Sequence, residues 1–139
     1  MKALIRFSFV FALSVLSAVA GPERMLGTWK SNKGATVAYL KIHTSLNEAQ
    51  INKIATVLGK MQITVDADTI TFKQDDWKFA SKYKVLSEVK NAITVESQDP
   101  QTKKFTKTVL EFDASGKGFW TADERIPGYK ERFDKVAVQ

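Results

Sequence analysis

The sequence predicts a mainly β protein: a small antiparallel β-barrel of about eight strands, with two short helices between the first and second strands. Three observations predict it. Hydrophobicity alternates with a period of two from Met61 almost to the end of the chain. Turn-forming runs (Ala67-Asp68, Asp99-Pro100, Ala114-Ser115-Gly116-Lys117 and Ile126-Pro127-Gly128) interrupt that alternation at short intervals. Helical spacing is confined to one stretch, between a short leading strand and the β region. A meander of short strands joined by tight turns closes into a small barrel or half-open sheet, and closure removes exposed edges. A sandwich or a cone-shaped α+β fold is the competing topology.

The chain opens with Lys2 and Arg6, an apolar run from Phe7 to Leu16 broken by Ser8 and Ser14, and the small-x-small site Ala18-Val19-Ala20. That order is the pattern of a secretory signal peptide cut before Gly21. A membrane-spanning helix needs about 20 apolar residues, and Phe7 to Ala20 is only 14. No later segment is apolar enough to span. The expectation is therefore a signal peptide over residues 1–20, one domain over residues 21–139, and a periplasmic or secreted location.

Leu26 to Ser31 reads as the first strand, ended by Asn32-Lys33-Gly34. A first helical pattern places Ala35, Ala38 and Ile42, with Val37 and Leu40, toward a core. A second begins with the capping-box spacing of Ser45 and Glu48. It continues through Ile51, Ile54 and Leu58 at i, i+3 and i+7, and Gly59 suits the left-handed residue that ends such a helix. Met61, Ile63 and Val65 then pair as a hairpin with Ile70 and Phe72. A third β strand of this region puts Phe79, Ser81, Tyr83, Val85 and Ser87 on one face and Lys78, Lys82, Lys84 and Glu88 on the other. Asn91 opens a strand with Ile93 and Val95 inward. Lys103 to Asp113, Gly118 to Ala122 and Tyr129 to Val136 complete the sheet; both faces of Lys107 to Glu111 carry apolar residues, which leaves that strand's inner face open.

The 139 residues hold 21 Lys and Arg against 15 Asp and Glu, for a formal charge of +6. Without Lys2 and Arg6 the domain keeps 19 basic and 15 acidic residues over 119 positions, or +4. Cysteine is absent. Disulfide frameworks, thiolate zinc sites, iron–sulfur clusters, c-type haem attachment, thiol nucleophiles and a lipidated N-terminal cysteine are thereby excluded. With 44% hydrophobic and 26% charged residues the composition is that of a folded domain. A chain of this size buries somewhat over 60% of its unfolded surface, enough for one core without staples.

Gly27-x-Trp29 on the first strand, a helical pair directly after it, antiparallel strands, and a final Phe133-Asp134-Lys135-Val136 resemble the calycin group, the lipocalins and fatty-acid-binding proteins. The Gly-x-Trp is similar to the lipocalin signature, and the helical pair is more like that of fatty-acid-binding proteins. The resemblance implies a barrel that holds a small apolar ligand, with the helices as a portal and Trp29 as a structural plug at the closed end. It departs at the last strand. Fatty-acid-binding proteins hold a carboxylate there with Arg-x-Tyr, where this chain has Glu131 and Phe133, and Arg132 falls one place out of step, on the opposite face. No carboxylate site is carried over, and eight strands rather than ten imply a smaller cavity.

His43 is the single histidine. With no Ser-centred nucleophile motif beside it, it reads as a solvated or capping residue, and no catalytic residue is assigned. Asp66 with Asp68, and Asp75 with Asp76, sit beside turns and are explained by turn chemistry, so no metal site and no cofactor is expected. Lys73, Lys78, Lys82, Lys84, Lys90, Lys103, Lys104 and Lys107 read as a solvated outer face that keeps the sheet soluble, capable of weak contact with anionic surfaces. Arginine, the preferred phosphate reader, is scarce, so no nucleic acid is expected as a partner. The inward aromatics Phe72, Phe79, Tyr83, Phe119 and Phe133 are the candidate ligand contacts, and Thr106, Thr108, Ser81 and Ser87, if inward, would leave room and polar handles. The expected function is an exported, non-enzymatic lipocalin-like protein binding a small apolar or amphipathic ligand. The alternative is an envelope interaction or inhibitor module that acts through its surface around a filled barrel.

Overall fold

The computed structural model describes residues 23–123 and 125–137. The expected signal peptide lies outside them. Eight antiparallel strands form a closed barrel in simple sequence order. They are β1 (Gly27–Ser31), β2 (Gln62–Val65), β3 (Thr69–Gln74), β4 (Trp77–Val89), β5 (Ala92–Gln98), β6 (Phe105–Phe112), β7 (Gly118–Ala122) and β8 (Lys130–Lys135). The two helices, α1 (Lys33–His43) and α2 (Glu48–Ala55), stand between β1 and β2. The barrel is sealed by β1 on β8, where Trp29, Lys30 and Ser31 lie opposite Lys135, Asp134 and Phe133.

The period-two pattern sets the two faces. Trp29, Ile63, Val65, Ile70, Tyr83, Ile93, Val95, Leu110, Phe112, Phe119 and Phe133 form one buried core. Leu110 and Phe112 point inward, and Val109 and Glu111 outward, which settles the open face of β6. All eight lysines of the expected outer face are exposed.

Three local readings change. Helix α2 is capped by Asn47 and Gln50, not by Ser45 and Glu48: Asn47 accepts from the Gln50 N–H while the Gln50 side chain accepts from the Asn47 N–H, each at 2.8 Å. The capping chemistry is the same, moved two residues along by an extended connection. Helix α1 buries Thr36 and Leu40 and leaves Ile42 77% exposed, because its inner face is set by β8 rather than by its apolar stripe. The Arg132 N–H donates to the Thr36 hydroxyl at 2.9 Å, so the helix satisfies a β8 donor beyond the end of β1.

The third change lies in β4. The register with β5 shifts between Val85 and Ser87, leaving Leu86 unpaired. Ser87 lies opposite outward Thr94 and Glu88 opposite buried Ile93, so both residues exchange the faces that alternation assigned them. Glu88 thereby reaches the closed end, where Arg24 donates to it at 2.8 Å and to the Lys90 carbonyl at 3.0 Å.

Candidate functional site

The two halves of the barrel interior differ. The closed half is filled. Trp29 is fully buried there, edge-on to Phe112 at 5.6 Å and Phe119 at 5.0 Å, and its indole N–H donates to the Met25 carbonyl at 2.9 Å. Met25, Ile93, Val65 and Tyr83 complete this layer. The Tyr83 hydroxyl donates to the Asp66 carbonyl in the β2–β3 turn at 2.8 Å.

The other half is hollow. A cavity of about 580 Å³ has an apolar floor that includes Ile63, Ile70, Phe72, Val95, Leu110, Phe119 and Phe133. Its upper wall carries Thr106, Thr108, Thr121, Tyr129 and Glu131, and Val57 and Leu58, just beyond α2, border it. It opens into a vestibule of about 700 Å³ among Asp75, Asp76, Trp77, Asp99, Pro100 and Arg125. Both volumes fall in the range of small-molecule sites, about 300–1,000 Å³.

The helical segment is anchored at this mouth by particular contacts. Ser31, the last residue of β1, accepts from the Gly59 N–H at 3.0 Å and donates to Glu131 Oε2 at 2.9 Å. At Gly128 the backbone is left-handed, with φ +78°, and a side-chain carbon there would come within 2.6 Å of the His43 carbonyl. The β7–β8 turn therefore presses against the end of α1, and glycine permits the approach. His43 itself is exposed and stacks on Tyr39 at 4.2 Å.

The charges around the cavity oppose the protein's net charge. Asp99 accepts from the Gln101 and Thr102 backbone N–H groups at 2.8 Å each, and these bonds hold its carboxyl below the ordinary value. Asp123 grips Arg125 with both oxygens, Oδ1 at 2.9 Å from Nε and Oδ2 at 2.7 Å from Nη2, and is likewise held low. Glu131 goes the other way. Burial raises its pKa, although the Ser31 and Tyr129 hydroxyls both donate to it. Tyr129 is raised as well, by burial first and then by the neighbouring Glu131 charge.

Of the aromatics singled out from the sequence, Phe72, Phe119 and Phe133 meet at the cavity. Phe79 lies at the rim, stacked on Trp77 at 6.5 Å with Lys103 Nζ 3.9 Å over its ring, and Tyr83 belongs to the filled half. Thr106 and Thr108 border the cavity, whereas Ser87 is turned out by the bulge. Sequence reasoning assigned neither Glu131, met only as a departure from the carboxylate-binding pattern, nor Tyr129, Asp123 and Arg125 to the site. The inward parity of Glu131 beside Phe133 was the available signal.

Among the described residues, no group of three or more His, Asp or Glu is placed to hold a metal, and no helix is long and apolar enough to cross a membrane. A closed, eight-stranded antiparallel meander with a helical pair after its first strand is consistent with a calycin-like fold. No protein-family model matches the chain, and no curated protein matches it.

Proposed function

We propose that this is an exported, non-enzymatic, lipocalin-like protein that carries a small apolar or amphipathic ligand in the upper half of its barrel. The observation that carries the reading is the half-hollow interior, an apolar floor beneath a ring of hydroxyls and charges. An alkyl or aryl body on Phe72, Phe119 and Phe133 gains about 0.8 kcal/mol for each methylene taken from water. A tail of about eight carbons thus supplies about 6 kcal/mol before the cost of immobilising the ligand. Polar groups at the mouth orient the head, and Val57 and Leu58 stand where the ligand would pass.

The test is native mass spectrometry after incubation with a lipid extract, alongside the variant Thr108→Phe, which places a ring in the hollow half. Wild-type protein is expected to retain a small-molecule mass that the folded variant does not. A wild type that retains nothing, or a variant with circular dichroism like wild type that retains the same mass, would overturn the reading. In that event the surface interaction module becomes the better account.

A further inference from the structure

We infer that the cavity selects an amphiphile with a cationic, hydrogen-bond-donating head, an alkylammonium or arylammonium, with Glu131 as its counter-charge. This rests on the barrel being a ligand site. Glu131 borders the cavity and accepts from two hydroxyls, Ser31 at 2.9 Å and Tyr129 at 3.3 Å. A carboxylate has about four acceptor positions, so two are left for a ligand. No cation among the described residues lies within 4.0 Å of it.

The remaining charges favour the same ligand. Asp99 and Asp123 border the cavity as well, and Asp75 and Asp76 border the vestibule. Two basic residues border the cavity. Arg125 is already held by both oxygens of Asp123, and Lys107 belongs to the outward row of β6, opposite Glu96. An anionic head would therefore meet carboxylates in the cavity and an arginine already paired, while Lys103 at the rim lies over the Phe79 ring and donates to the Pro100 carbonyl. The lysine-coated exterior and the acidic interior sort amphiphiles in opposite senses, anions to the outside and cations within.

A cation beside Glu131 also relieves the burial that disfavours its ionised form. The ammonium supplies up to three donors, and the acceptors at hand are the unused positions of Glu131 and the hydroxyl of Thr121, which lies opposite it in the β7–β8 register. A neutral head of equal size would make fewer and weaker bonds there, since a charged donor to a charged acceptor is the stronger pair.

Three probes with one ten-carbon tail, decylamine, decanol and decanoate, are titrated by calorimetry below their aggregation limits. Decylamine is expected to bind about tenfold or more tighter than decanol, and decanoate more weakly than decanol. Glu131→Gln is expected to remove that advantage, so that decylamine binds no tighter than decanol. A pH series on wild type tests the same point without a substitution. The groups facing Glu131 are Ser31 from β1, Tyr129 on its own strand, and Asp99, Asp123 and Arg125 at the mouth. With both aspartates held low, the amine-to-alcohol ratio is expected to fall between pH 7 and pH 4 as Glu131 takes up its proton. Equal or tighter binding of decanoate, or a full amine preference in folded Glu131→Gln, overturns the head-group assignment while the barrel remains a ligand site. Failure of all three probes to bind overturns the barrel reading itself.

Discussion

Gly118 on β7 is buried although it carries no side chain, because the Arg132 guanidinium of β8 lies across it. A methyl carbon at Gly118 would overlap Nη2 and Cζ of Arg132 and lie 2.8 Å from Nε. The guanidinium would have to leave Asp113 and Asp134, which it bridges, and the face of Trp120, 5.6 Å away. The Arg132 side chain is 16% exposed and its partners 32% and 43%, so the pairs fall between surface and buried cases. Their loss is expected to cost about 1.5–3 kcal/mol. Gly118 does not have a positive φ, so alanine also restricts the unfolded chain and returns about 0.4–1 kcal/mol. Gly118→Ala should therefore destabilise by about 1–2 kcal/mol, or about 4–8 °C in Tm for a domain of this size. In an Arg132→Ala background the overlap disappears, and the same substitution should stabilise by about 0.4–1 kcal/mol. Urea titrations of the four proteins, followed by tryptophan fluorescence, measure the cycle. Equal destabilisation in both backgrounds would show that the methyl group strains the barrel backbone rather than the arginine, and the reasoning would fail.

Trp29→Ala should cost about 3–5 kcal/mol, since it empties the most buried layer and leaves the Met25 carbonyl without its donor; a loss under about 1 kcal/mol in a urea titration would contradict the plug role. Stability should also depend on pH through two carboxyls of opposite sense. Asp113, brought to about 2 by the Ser115 hydroxyl and Arg132, stabilises above the ordinary value of 3.8 and loses that contribution as pH falls toward 2. Glu131, raised by burial, opposes folding once pH climbs above its unfolded value, so Glu131→Gln should gain on wild type between pH 4 and pH 7. Midpoints of urea unfolding at pH 2, 4 and 7 check both signs, and a Glu131→Gln difference that does not change with pH would refute the second.

Much of the architecture was legible because strand alternation and turn chemistry are local properties of the backbone. Ile63, Val65, Ile70 and Phe72 declare their face by parity alone, and Gly59 does adopt the left-handed φ expected of it, although α2 already ends at Ala55 and a turn fills the residues between. Legibility failed where a partner distant in sequence decides. The inner face of α1 follows the β8 donor at Arg132, and the faces of Ser87 and Glu88 follow a bulge that no residue type announces.

The site divides along the same line. Phe72, Phe119 and Phe133 were marked by parity and by their bulk. Glu131 drew notice only as a departure from a carboxylate-binding pattern, because its partner Ser31 is 100 residues away. By itself, then, the sequence determined a β meander with one helical insertion, an outer face rich in lysine, and an inner face rich in aromatics. The tertiary structure decided that Trp29 and Phe112 fill one half of the barrel and leave the other hollow, and that the hollow half is acidic inside a basic protein. Empty volume is what remains when side chains from eight strands meet across a closed sheet. The field within it is set by which carboxylates the strand ends bring to one mouth. Neither quantity belongs to any single stretch of chain.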